Sequence, residues 1–360
     1  MIVVFRVDAS LQIGSGHVMR CLTLAGALRK QGAECHFICK NHSGHLIQQV
    51  REAGHIVHEI PVEDNAIAEI NGLGHSSWLG STQTRDAQAS LLILNTLIPT
   101  WIVVDHYAID RAWEEEIKPL CQKLIVIDDL ADREHCCDVV IDQNLGRQAN
   151  DYRELVPDNC KILAGPKYTL LRQEFSELRK YSLQRRARPS LQHIIINMGG
   201  VDKDNATGRV LSALQHCTLP KNCRVTVIMG ARAPWVESIR LQALSMSHLI
   251  DIKVNVTNMA ALMAECDLVI GAAGSTSWER CCLGVPTLMV ILASNQVESA
   301  RALEKQGAAV ILTLESEFDY LLNSYLKSVI NDGSVLTNMI GCASRITDGS
   351  GCRRVVEALL

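Results

Sequence analysis

Three short stretches carry residue types whose spacing could support chemistry. In Ile13-Gly14-Ser15-Gly16-His17, two glycines precede a histidine at the point where a helical pattern begins. Glycine lets a ligand approach the backbone, and a helix N-terminus offers unpaired N–H groups with partial positive charge. That end disfavours a second positive charge, so it favours a neutral His17, which could then act as a base near pH 7. A tight turn with a surface histidine would give the same letters. In Gly271-Ala-Ala-Gly274-Ser275-Thr276-Ser277-Trp-Glu279, a small-residue loop opens into a helix whose N-cap would come from Ser275, Thr276 and Ser277. Such a loop can hold a diphosphate through N–H groups and hydroxyls without a metal. Glu279 lies one turn further on the same face, where it could accept bonds from ribose hydroxyls. Close helix–strand packing with a solvated glutamate is the alternative. The third stretch, Asp105-His106-Tyr107, follows an apolar run and puts polar groups at a strand end. Arg20 shares a helix face with His17 and could meet either a phosphate or a nearby acid.

These residues need a frame. Ile2–Val7, 33–39, 55–60, 101–105 and 124–128 read as strands, with helices expected at 17–29, 45–53 and 82–97 and a loop over 61–81. Apolar strands ending in polar residues, alternating with helices, predict a parallel sheet covered on both faces, with ligands at the strands' carboxyl ends. Asp8, Asp105, His106, Tyr107, Asp128 and Asp129 would then share a rim with His17, although His106 would point away from Tyr107. The charged stretch 171–190 reads as an exposed helix and linker. Beyond it the pattern restarts, with strands at 193–197, 225–229, 252–256, 268–270 and 287–291, a Met198-Gly199-Gly200 turn, a helix opened by Asn295-Gln296 and a final helix over 352–360. The expected architecture is α/β: two doubly wound Rossmann-type domains facing across a cleft, with boundaries 1–170, 171–190 and 191–360.

Composition narrows the function. The chain has 360 residues, 48% hydrophobic and 21% charged, with a net charge of −4, which suits a soluble two-domain enzyme. No basic tract suggests nucleic acid, no run of about 18 apolar residues suggests a membrane span, and a strand starting at Ile2 leaves no room for a signal peptide. A cytoplasmic location follows as an expectation. The 14 cysteines include adjacent pairs and core positions, as reduced thiols would. Cys35, Cys39, His42 and His45 have a spacing loosely like a zinc site, but Cys35, Phe37 and Cys39 alternate along a strand, so no metal is expected. A dinucleotide cofactor is not expected either: Met19 stands where the third small residue of G-x-G-x-x-G would be, and the second strand ends near Lys40 instead of an acid.

Taken together, FRVDASLQIGSGHVMRCLTLA, VVDHYAID, NMGGVDKDNAT, NMAALMAECDLVIGAAGSTSWERCCLGVP and SNQVESA resemble the UDP-sugar hydrolases of pseudaminic acid biosynthesis. These are similar in fold to the MurG-type GT-B glycosyltransferases. The resemblance implies removal of UDP from UDP-2,4-diacetamido-2,4,6-trideoxy-β-L-altropyranose by water attack at the anomeric carbon, with inversion and without a metal or other cofactor. It implies His17 as the catalytic base. Tyr107 and Asn295 would lie at the substrate, with Gly14, Gly16, Asp8 and Arg20 on the same side and Arg6 completing the first-strand R-x-D. UDP would meet Gly199, Gly200, Gly274, Ser275, Thr276, Glu279 and Gln296. The only partners implied are the UDP-sugar and other enzymes of the pathway. A GT-B transferase using a UDP-sugar donor would share these nucleotide motifs, and a non-catalytic binder would not need His17.

Overall fold

A computed structural model describes residues 1–62, 73–231 and 233–360. The chain divides into two compact units, Met1–Leu170 with Gly351–Leu360, and Leu171–Ser350.

The first unit carries β1 (Ile2–Val7), β2 (Glu34–Lys40), β3 (Ile56–Ile60), β4 (Trp101–Asp105), β5 (Lys123–Ile127), β6 (Val139–Asp142) and β7 (Lys161–Ala164). Among the described residues they form one sheet in the order β3-β2-β1-β4-β5-β6-β7, and every pairing is parallel. Helices α1 (Gly16–Lys30), α2 (Ile47–Glu52), α3 (Gln83–Leu97) and α4 (Arg111–Ile117) join the strands. A sheet covered on both faces buries consecutive residues, which is why β1 and β4 read as largely apolar runs, broken only by Arg6 and ended by Asp105. Strand order reverses between β1 and β4, where Val7 pairs with Asp105. Ligands of such sheets gather beyond the strand ends at this reversal, and α1 opens just after it.

The second unit has β8 (His193–Asn197), β9 (Arg224–Met229), β10 (Leu249–Val254), β11 (Leu268–Ala272), β12 (Thr287–Val290) and β13 (Val310–Leu312), in the parallel order β10-β9-β8-β11-β12-β13. Its helices are α5 (Gln173–Arg185), α6 (Ala206–Leu214), α7 (Val236–Leu244), α8 (Met259–Glu265), α9 (Thr276–Leu283), α10 (Val297–Lys305), α11 (Phe318–Asn331) and α12 (Ser334–Ser344). Here the order reverses between β8 and β11, so Met198-Gly199-Gly200 and Ala273-Gly274-Ser275 follow neighbouring strands.

Three expectations change. The segment 171–190 is not an exposed linker. Phe175 and Ser182 of α5 are buried, and Arg179 donates to the carbonyls of Ser344 (2.7 Å) and Thr347 (3.2 Å). Arg186, also buried, donates to the carbonyls of Met263, Ala264 and Cys266 at the end of α8. The helix therefore belongs to the second unit. The last ten residues do not. Helix α13 (Gly351–Leu359) places Val355, Val356 and Leu359 in the first unit's core with Val3, Leu24 and Leu28. Lys123 and Lys161 bond its final carbonyls at Leu359 (2.6 Å) and Ala358 (2.8 Å), where cations complement the helix end. A Cβ on Gly351 would lie 2.3 Å from the Thr169 carbonyl, so only glycine allows this return. Finally, β6 and β7 were not expected from the sequence. Of the loop expected over 61–81, residues 63–72 lie outside the described residues, and Ser76–Leu79 form a 3-10 turn.

Leu359→Ala should destabilise the first unit by about 2–5 kcal/mol, as large-to-small core changes do. Hydrogen exchange would register it as lost protection in β1 and α1, with the second unit unchanged.

Candidate active site

His17 is the second residue of α1 and lies at the reversal of the first sheet, 8% exposed. Its Nδ1 is 2.6 Å from Oδ1 of Asp105, the last residue of β4. Asp105 is wholly buried and also receives Arg20 at both oxygens, Nε to Oδ2 at 2.6 Å and Nη2 to Oδ1 at 2.7 Å. Burial alone would raise the Asp105 pKa. The Arg20 guanidinium and then the His17 ring outweigh it and hold the carboxyl far below its usual range. An ionised carboxylate can only accept, so Nδ1 carries the proton, and in the neutral ring the lone pair lies on Nε2. Asp105, not the helix end alone, thus fixes the ring and its tautomer.

Arg20 continues to Asp129, Nη1 to Oδ2 at 2.6 Å, and the same oxygen receives the Tyr107 hydroxyl at 2.5 Å. Asn144 Nδ2 donates to the other Asp129 oxygen at 3.0 Å. Burial, then Asp129, push the Tyr107 phenol well up, so it stays a donor. Its ring meets His17 edge to face, with centroids 4.6 Å apart. His17, Asp105, Arg20, Asp129 and Tyr107 thereby form one closed circuit of contacts.

Other residues of the expected rim fall elsewhere. Arg20 is committed to two carboxylates, so its guanidinium is not free to hold a phosphate. Asp8 is fully buried. It accepts from the Lys40 amide at 2.7 Å, pairs with Arg6 at 2.8 Å and faces His106 Nε2 at 3.3 Å, which withdraws it from the substrate side. Arg6 in turn forks onto Asp86 at 2.9 and 2.7 Å, so the R-x-D pair is internal. His106 does turn away from Tyr107, toward Asp8. Asp128 is buried against Arg133 and Tyr152. Burial pushes nearby Asp142 up to about 7, and its Oδ2 lies 2.7 Å from the same Tyr152 hydroxyl. Gly14 takes φ 81°, a left-handed turn suited to glycine, and Gly16 starts α1. Cys35 and Cys39 are buried in the core of the first unit.

In the second unit, Gly199 (φ 87°) begins the turn after β8, and a Cβ on Gly230 would strike the Gly200 carbonyl at 2.0 Å. The N-terminus of α6 is already filled by Asp202, whose oxygens accept from the amides of Ala206 and Thr207 at 2.8 and 2.9 Å. That of α9 is different. Ser275 is the N-cap residue but its side chain makes no cap hydrogen bond, and a Cβ on Gly274 would meet nothing within 4 Å. Ser277, expected to help open the helix, instead receives buried Arg280 Nη2 at 2.8 Å, and the same nitrogen holds the Ala272 carbonyl at 2.8 Å. Arg280 thus ties the loop to the first turn of α9, which has no side-chain cap. Thr276 is the first residue of that helix. Glu279 lies one turn in, 3.6 Å from Arg172, and burial raises its carboxyl to about 7 against the pull of Arg172. Asn295 is exposed on the 3-10 turn Ser294–Gln296, whereas the Gln296 side-chain carbonyl is taken by the Leu292 amide at 2.9 Å.

Residues 195–350 match the glycosyltransferase family 28 C-terminal domain. The UDP-2,4-diacetamido-2,4,6-trideoxy-β-L-altropyranose hydrolase of Campylobacter jejuni is 29% identical over 311 residues, 86% of this chain and 98% of that protein. An uncharacterized protein of Methanocaldococcus jannaschii is 29% identical over 296 residues, 81% of this chain, and the match spans only 55% of that longer protein. The resemblance read from the motifs therefore extends along most of the chain. Among solved structures, Acinetobacter baumannii MurG superposes with a TM-score of 0.68 at 17% identity, covering 99% of this chain and 98% of that one. The fold is thus GT-B-like, with two doubly wound parallel sheets.

Sequence reasoning placed Asp105 on the rim but did not pair it with His17. It also placed Asp129 on the rim, but it missed Asn144, Arg172 and Arg280, along with Trp78, whose ring lies near His17, and His75, whose ring lies near Tyr107. A carboxylate ending β4 two residues before Tyr107 was the one available signal. Arg20→Ala should cost about 3–5 kcal/mol, because it strands the Asp105 charge in the interior. Denaturant unfolding of the variant beside Asp105→Asn would measure it.

Proposed function

We propose that the protein is a UDP-sugar hydrolase that releases UDP from UDP-2,4-diacetamido-2,4,6-trideoxy-β-L-altropyranose, a step of pseudaminic acid biosynthesis. The observation that carries this reading is the His17–Asp105 pair, which leaves Nε2 as an available base in a chain resembling such a hydrolase over 86% of its length. Water attacks the anomeric carbon as the bond to the diphosphate oxygen breaks, and Nε2 takes the water's proton. Asp105 accepts the Nδ1–H bond throughout and stabilises the imidazolium that forms. Negative charge grows on the departing UDP, and the uncapped N-terminus of α9 supplies N–H groups and partial positive charge for it. A nucleoside diphosphate is a good leaving group, so the acid carboxyl that glycosidases use is dispensable here. Attack opposite the leaving group inverts the anomeric centre. Gly199, Gly200, Gly274, Ser275 and Thr276 would hold the diphosphate, and Glu279 the ribose. Tyr107 and Asn295 would contact the sugar. The reaction would take place in the cytoplasm, beside other enzymes of the pathway.

A glycosyltransferase with a UDP-sugar donor is the second reading, favoured by the family 28 match and the MurG-like fold. It differs in needing an acceptor, so release of UDP in water alone separates the two.

His17→Asn should lower kcat by roughly two to four powers of ten, the usual share of a general base, while calorimetry finds UDP affinity unchanged. Turnover at the parent rate would refute the assignment. Glu279 gives a pH test. Only its ionised form accepts two ribose hydroxyls, so UDP affinity should rise as pH passes upward through about 7. Because UDP itself titrates nearby, the readout is the difference from Glu279→Gln, in which this component is absent.

A further inference from the structure

His17 is bordered by rings whose placement the base mechanism leaves unused. Trp78, on the 3-10 turn Ser76–Leu79, stacks on Tyr107 with centroids 5.6 Å apart and planes 25° apart. It faces His17 at 6.3 Å, nearly perpendicular at 80°. His75 packs 4.3 Å from Trp78 and 5.4 Å from Tyr107. The neighbours of Trp78 account for the turn's stability without it. Leu79 is 1% exposed in the core cluster with Trp113, and Gly80 closes the turn in the left-handed region at φ 64°. Trp78 itself remains only partly buried. Tyr107 has spent its hydroxyl on Asp129, so it too offers only its ring. Burial lowers the His75 pKa, so that ring is neutral at pH 7 and the wall carries no charge of its own. An uncharged aromatic surface beside a reactive nitrogen fits a ligand that has an apolar face and needs orientation. A trideoxy pyranose carrying a methyl and two acetamido groups presents such a C–H-rich face.

We propose that Trp78 is the platform on which the sugar ring stacks, setting the anomeric carbon relative to His17 Nε2. This rests on the UDP-sugar reading above and adds a positioning and specificity residue to it. The uridine and diphosphate are held by other groups, so the indole contributes to the intact UDP-sugar and not to free UDP.

The test is steady-state hydrolysis of UDP-2,4-diacetamido-2,4,6-trideoxy-β-L-altropyranose by the full chain, with free UDP as competitive inhibitor. Trp78→Ala should raise KM about tenfold, the scale of one aromatic stacking contact with its buried area, and leave the UDP inhibition constant unchanged. Trp78→Phe should recover most of the loss. Trp78→Leu, which keeps apolar bulk without a π face and guards against collapse of the turn, should resemble Trp78→Ala. An unchanged KM in Trp78→Ala, or parent behaviour in Trp78→Leu, overturns the platform and leaves the hydrolase intact. A parallel rise in the UDP constant also overturns it, since the residue would then be supporting the fold. Failure of the parent protein to release UDP defeats the underlying reading instead.

Discussion

Asp105 is a wholly buried carboxylate, and an unpaired charge there would cost several kcal/mol. Arg20 and His17 resolve that cost, and in doing so they fix the site. The fork from Arg20 occupies both oxygens, and one of them also holds the His17 ring, so the imidazole can neither flip nor exchange tautomer without breaking the ion pair. Asp129 extends the same constraint to Tyr107 through the third Arg20 nitrogen. The orientation that the proposed proton abstraction would need is therefore a by-product of satisfying buried charge. It also ties stability to pH. Asp105, held far below its usual range, adds stability that is complete at neutral pH and lost as acid protonates it.

The second unit solves a different problem. A helix end that held an anion, as proposed for α9, would need open N–H groups on a rigid loop. Asp202 fills the corresponding end of α6, so that position is closed. At α9 the support comes from Arg280, which holds Ala272 and Ser277 while Ser275 makes no cap bond. Both sheets place these devices where strand order reverses, but the glycine loop before α1 follows β1, whereas that before α9 follows β11, the counterpart of β4.

Much of this was legible from sequence because strands buried on both faces appear as largely apolar runs, and β1, β4, β8 and β11 all do. Short β6 and β7 have only four residues each, too few for a pattern. The charges of α5 concealed its buried stripe of Phe175 and Ser182, and nothing local in Gly351–Leu359 says which core it joins. The site divides in the same way. His17 and Tyr107 were visible in motifs, and Arg20 was visible as a neighbour of His17 on one helix face. Its choice between phosphate and acid was settled by Asp105, 85 residues away in the chain. Asp8 was misjudged because a polar residue just after a strand end normally faces the rim, whereas here it answers the buried Arg6. Trp78 and His75 lie where no periodicity exists to give them a direction.

Hydrolysis of the UDP-sugar in ¹⁸O-water, without acceptor, tests the central claim most directly. If His17 aims water at the anomeric carbon, the label appears in the free sugar and the UDP remains unlabelled. Label in the UDP phosphate would place attack at phosphorus and contradict the account, as would the absence of any UDP release.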